Sequence, residues 1–104
     1  MHARIAKYTF SGDAQELGRI AEDGLMPIFQ AQPGFKAYSV VASGDKIISF
    51  SAWESEEAAE AANAAAAGWV AENMGDKIEL ENTRVGEVLF STALGVSTKA
   101  GATA

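Results

Sequence analysis

Two short segments constrain the fold more than anything else in the chain: Gln32-Pro33-Gly34-Phe35 and, further on, Trp53-Glu54-Ser55-Glu56-Glu57. Pro33 cannot extend a preceding helix and Gly34 can adopt a left-handed backbone, so the first segment is a turn that launches a strand. In the second, Ser55 can cap a helix whose first turn holds Glu56 and Glu57, where negative charge favours the helix dipole. A strand therefore ends at Trp53 and a helix starts beyond it. Between the two segments, Phe35 to Ala42 and Lys46 to Trp53 are rich in aromatic and β-branched residues. Ser43-Gly44-Asp45 separates them, which predicts an antiparallel hairpin.

Ala3 to Phe10 alternates as a strand does, with Ala6, Tyr8 and Phe10 on one face and Ala3, Ile5, Lys7 and Thr9 on the other. Asp13 and Glu16 have capping-box spacing for a first helix. Leu17, Ile20, Ala21, Gly24 and Ile28 recur at helical spacing and predict its buried stripe. Pro27 is expected to interrupt and kink that helix, with Gly24 easing the bend. The run Ala58 to Ala67, broken by Glu60 and Asn63, predicts a second helix able to approach a sheet closely. Trp69, Val70 and Met74 give it bulk, and Gly75-Asp76 ends it. Lys77 to Glu81 and Val85 to Phe90 form a fourth strand, long or in two pieces, with Ile78 and Leu80 inward and Gly86 a bulge or bend. Residues 1–94 make one domain, and the small, polar, unpatterned residues 95–104 are expected to be a flexible tail.

The order βαββαβ predicts an α+β, ferredoxin-like domain: a four-stranded antiparallel sheet with both helices on one face. Apolar groups stand at both parities of the strands, Tyr8 and Phe10 against Ile5, Ile48 and Phe50 against Ile47 and Trp53. An uncovered face would leave a larger apolar patch than a small monomer tolerates. A second copy is expected to cover it, making a homodimer.

Composition removes several functions. The 104 residues carry a formal net charge of −6, with a pI near 4.6, which opposes binding to phosphate backbones. With no cysteine there is no thiol nucleophile or thiolate metal site, and one histidine makes a transition-metal site improbable. No apolar run resembles a signal peptide core or a membrane span, so a cytoplasmic protein without nucleic-acid or membrane partners is expected.

On the third strand, Ile47, Ser49, Ser51 and Trp53 share a face that mixes hydroxyls with apolar ends. Trp53 can line a pocket and donate its indole N–H, or pack as a core tryptophan. Ser49 and Ser51 can bind a ligand hydroxyl, or represent ordinary strand polarity. Tyr8 or Tyr38 can supply a phenol. Arg4 can meet an anionic substrate, a surface salt bridge being the plainer reading. His2 is the ready general base, at a chain end that frays. Trp69 reads as packing, and Glu54, Glu56 and Glu57 as a helix start. A substrate-binding set of Trp53, Ser49, Ser51, Tyr38 and Arg4 is the expectation, for a small apolar or aromatic molecule and without a cofactor. No set of residues defines a catalytic reaction.

The turn Gln32-Pro33-Gly34-Phe35, the strand Ile47 to Ala52 running into Trp53 to Ala58, and Gly86-Glu87-Val88 together resemble the dimeric α/β-barrel superfamily. Within it the chain resembles the antibiotic-biosynthesis-monooxygenase-like group, over about residues 2 to 92. The resemblance implies ferredoxin-like subunits whose sheets face each other in a homodimer, each with a small apolar pocket. Some members oxidise polyphenols or quinols with molecular oxygen and no cofactor; others degrade haem. The aromatic-polyketide oxygenases carry Asn where this chain has Ser49, and their tryptophan is retained as Trp53. Their strand-two Tyr and His fall on Val40 and Val41, and their helix-two Tyr on Ala59. The haem ligand expected on helix two has no counterpart. The resemblance thus implies either oxidation of a small aromatic or a dimer that binds such a molecule without turnover.

Overall fold

The structure, a computed structural model, describes residues 1–99, so residues 100–104 of the expected tail lie outside the described residues. The elements are β1 (His2–Phe10), α1 (Ala14–Ala31), β2 (Phe35–Ser43), β3 (Lys46–Trp53), α2 (Glu56–Asn73) and β4 (Ile78–Glu87). The four strands form one antiparallel sheet in the order β2-β3-β1-β4, the ferredoxin-like arrangement the element order predicts. Gly34 turns the chain into β2 at φ +85° and Gly44 closes the β2–β3 hairpin at φ +59°, backbone values that disfavour any other residue. Asp13 Oδ1 accepts from the Gln15 N–H at 3.0 Å and Ser55 Oγ from the Ala58 N–H at 3.1 Å, so both helices begin at the predicted caps. Among the described residues no helix is long and apolar enough to cross a membrane.

Both helices cover one face of the sheet. Phe29 of α1, Trp53 of β3 and Ala59, Ala62 and Ala66 of α2 join in one buried cluster. The three alanines are fully buried, and their small side chains let α2 lie close on the strands. In α1 the buried residues are Leu17, Ala21, Leu25 and Phe29, a correction to the stripe predicted through Gly24 and Ile28. Gly24 instead faces α2: a Cβ there would stand 2.3 Å from Trp69 Cζ2. Its missing side chain seats an indole and is not explained by a bend. Nor does Pro27 interrupt α1, which continues through it as one 18-residue helix. Leu25 and Phe29, on either side of the proline, are both packed in the core and tie the two halves to the same surface.

β4 is a single strand, and its irregularity is not at Gly86, which pairs regularly with Ala3. Lys7 pairs with Asn82 and Tyr8 with Leu80, leaving Glu81 as the extra residue. The bulged carboxylate accepts from Lys46 Nζ and lies 3.7 Å from Lys7 Nζ. Leu80, expected inward, is about half exposed, and Leu89 and Phe90 lie exposed beyond the strand. A short turn follows, closed by the Ser91–Val96 bridge. On the face away from the helices, Ile5 sits beside Phe50 and Ile48 beside Val41, with Ile5 and Val41 about half exposed.

Candidate functional site

The helix-covered side of the sheet is polar where a small core is ordinarily apolar. Register places Tyr38, Ser51, Arg4 and Val85 in one row across the four strands, and Val40, Ser49, Ala6 and Thr83 in the next. Ala42, Ile47 and Tyr8 follow in a third. Ala6 is small, so the Arg4 side chain passes it along β1 and Nη2 donates to the Tyr8 hydroxyl at 3.1 Å. Arg4 Nε donates to Asn63 Oδ1 of α2 at 2.7 Å, and that oxygen also accepts from Thr83 Oγ1 at 3.1 Å. Arg4 is 2% exposed, so the plainer reading of it as a surface ion-pair residue is corrected. It lies inside the molecule, and none of the salt bridges among the described residues involves it. Arg4 Nη1 and Ser49 Oγ are buried without hydrogen-bond partners.

Trp53 and Ser51 form a separate, closed arrangement. The indole is fully buried, and Nε1 donates to Ser51 Oγ at 2.9 Å. Phe29 and Phe35 meet it edge to face with ring centres 5.3 and 5.4 Å away, a favoured aromatic geometry. The N–H expected to serve a ligand is thus already used.

Beside Ser49 is an interior void of about 30 Å³, lined among others by Tyr8, Leu17, Tyr38, Trp69 and Met74. It has room for about two water-sized groups. Outside it, between α1 and the β2 edge of the sheet, runs a cleft of about 450 Å³ that includes Gly18, Arg19 and Met26. Tyr38, Val40 and Ile47 line both spaces and form the partition between them. Burial pushes the Tyr38 phenol above the usual tyrosine range, against the smaller opposing effects of the Ser49 hydroxyl, which lies near the phenol without meeting hydrogen-bond geometry, and of the Arg4 charge. Tyr38 therefore stands as a neutral phenol at the inner end of the cleft.

Of the expected substrate-binding residues, Tyr38 and Ser49 meet at the void and Arg4 lies behind Tyr8, while Ser51 and Trp53 bind each other. His2 stands at the far end of β1, opposite Trp53, with Nε2 3.7 Å from Glu56 Oε2. Asn63 was not singled out for the site. Its signal was present: the one amide in the alanine run, one turn from buried Ala59 and next to buried Ala62. Among the described residues no group of three or more His, Asp or Glu side chains gathers as a metal ligand set.

Residues 1–67 match the family model described as antibiotic biosynthesis monooxygenase. The chain belongs to the antibiotic biosynthesis monooxygenase family. The fold agrees with solved structures at low sequence identity. One is SnoaB, a cofactor-independent oxygenase from Streptomyces nogalater, at 17% identity and TM-score 0.69, over 88% of this chain and 95% of that one. Another is the ActVA-Orf6 monooxygenase of Streptomyces coelicolor, solved with nanaomycin D, at 21% identity and TM-score 0.61, over 86% and 92%. MupZ from Pseudomonas fluorescens aligns at 8% identity and TM-score 0.66 over 81% of this chain, which spans 65% of MupZ's length. No curated protein sequence matches. At the positions where the resemblance places the antibiotic biosynthesis monooxygenases' polar groups, Val40 stands in the partition, Val41 on the open sheet face and Ala59 on the buried side of α2.

Proposed function

We propose that this monooxygenase-family chain takes a small, mainly apolar aromatic molecule into the cleft between α1 and β2 and oxidises it with molecular oxygen and no cofactor. The observation that supports this reading is that the cleft lies against an interior void, the two sharing Tyr38, Val40 and Ile47 as their common wall, and that Ser49 Oγ at the void is unpaired. A ring held between Met26, Val40 and Ile47 directs a polar substituent toward Ser49, and the apolar walls of the cleft strip water from the ring's own hydroxyl. Desolvation raises the electron-donating power of a phenolate, and the substrate supplies every electron that oxygen accepts. In an oxygen electrode with a panel of quinols and anthrones, the protein is expected to accelerate uptake. Gly18→Phe is expected to abolish that acceleration by filling the cleft, since nothing lies within 4 Å of the position where the Gly18 Cβ would be. No acceleration with any member overturns the reading.

We also propose that the open sheet face, with Ile5, Val41, Ile48 and Phe50, is covered by a second copy in a homodimer. Leu89 and Phe90 extend the same apolar surface along a groove with Ile5 and Phe50. Sedimentation at micromolar concentration is expected to give a dimer; a lone folded protomer overturns this. The cleft lies on the other side of the sheet, so the two proposals stand separately.

A second reading, a dimer that binds its molecule without turnover, is favoured by the chemistry at the void. Ser49 and the neutral Tyr38 are not bases, and His2 is elsewhere. Saturable binding with no oxygen uptake supports it, and turnover that collapses in Ser49→Ala with the fold intact removes it.

A further inference from the structure

A guanidinium this deeply buried is costly unless it is paired. Arg4 has two neutral partners, the Tyr8 hydroxyl and the Asn63 amide oxygen, and Nη1 has none. Tyr38, held neutral by burial, supplies no counter-charge. Of the two other buried side-chain atoms without a partner, His2 Nδ1 stands at the far end of β1, while Ser49 Oγ belongs to the cross-strand partner of Ala6, the residue that the Arg4 side chain passes on its way to Tyr8. Register sets Arg4 opposite Ser51, one row from Ser49, but its guanidinium reaches along β1 to the Tyr8 hydroxyl. The unpaired donors therefore belong to neighbouring strands, Ser49 lining the interior void and the guanidinium bonded to the Tyr8 that also lines it.

Resting on the reading of cleft and void as one ligand site, we propose that the site binds an aromatic carboxylate, its two oxygens accepting from Arg4 Nη1 and Ser49 Oγ and its ring lying in the cleft. A carboxylate fits on three counts. It is about the size of the void, it offers an acceptor to each orphan, and it carries its charge at neutral pH without having to be ionised by the protein. Neighbouring Asn63 and Tyr8 hold the guanidinium fork in place, so little ordering is left for the ligand to impose. Tyr38 and Val40, on the edge strand, are the side chains that must move aside for the carboxylate to pass inward.

Calorimetric titration of the whole protein with 2-naphthoate, 2-naphthamide and 2-naphthol at neutral pH tests this. Naphthoate is expected to bind about ten- to a hundredfold more tightly than its neutral amide, the range of a charge-assisted hydrogen bond. In Arg4→Met, which replaces a buried cation by an apolar chain of similar length, naphthoate is expected to lose that advantage while naphthamide still binds. If Arg4→Met does not fold, Arg4→Lys, which keeps the charge without the fork, is expected to reduce the preference. Equal binding of naphthoate and naphthamide to the wild type overturns the carboxylate proposal alone, as does tighter binding of naphthol than of naphthoate. Retention of the full preference in Arg4→Met overturns it too. If none of the three binds, the cleft is not a site for small aromatics and both readings fall.

Discussion

Ser49 and Ser51 stand two residues apart on the same face of the same strand, both almost completely buried, and they are used in opposite ways. Ser51 accepts from the Trp53 indole inside a cluster of aromatic rings, and every polar atom of the pair is matched. Ser49 has no partner and borders an interior void. The first arrangement stabilises the fold; the second leaves hydrogen-bonding capacity unspent, which a core avoids unless something else takes it up. The contrast separates a closed end of the sheltered face, around Trp53, from the end around Ser49, Tyr8 and Tyr38 where we propose the ligand site.

Mutation should break the molecule at one end and leave it standing at the other. Trp53→Ala removes the largest fully buried side chain and is expected to cost about 3–5 kcal/mol, read as a shift in the urea midpoint. Next, Ser51→Ala leaves the indole N–H buried and unmatched, at about 1–3 kcal/mol in the same assay. Ser49→Ala is expected to change stability by no more than about 0.5 kcal/mol, because no hydrogen bond is lost. Comparable losses for the two serines would erase the distinction. The subtlest effect is on titration. Tyr38 is expected to ionise above the ordinary tyrosine range, seen as a late phase of tyrosinate absorbance that disappears in Tyr38→Phe. Because its folded pKa is raised, its contribution to stability is full below the ordinary tyrosine range and fades as the pH climbs through the raised value, easing unfolding at the alkaline end.

The elements were legible because their boundaries rest on local chemistry. Pro33, Gly34, Gly44, Asp13 and Ser55 act on their own turn of chain, and alternation marks the strand faces without reference to anything distant. What misled was decided at long range. Gly24 looked like part of a helical stripe, yet its role is set by Trp69 of the other helix. Gly86 looked like the place for a bulge, but pairing with β1 puts the extra residue at Glu81. In the candidate site, parity alone puts Ser49 on the same sheltered face as Ser51 and Trp53. The interior course of Arg4 was not legible, since arginine belongs by default at the surface and its anchor, Asn63, lies 59 residues away. Of the two readings open for Trp53, a ligand donor or a packed core ring, the choice depends on what lies around the indole: Phe29 and Phe35 meet it edge to face and Ser51 takes its N–H.

The position of β2 at the rim of the sheet has a dynamic consequence. A strand laced to one neighbour only detaches locally at lower free energy than a strand laced on both sides. The wall of the proposed site that bears Tyr38 and Val40 is therefore the side that yields first, while β1, clasped between β3 and β4, keeps Arg4 at its station. Amide protons of β2 facing away from β3 should accordingly exchange with solvent before those of β1, and the yielding and the fixed parts of the proposed site belong to different strands.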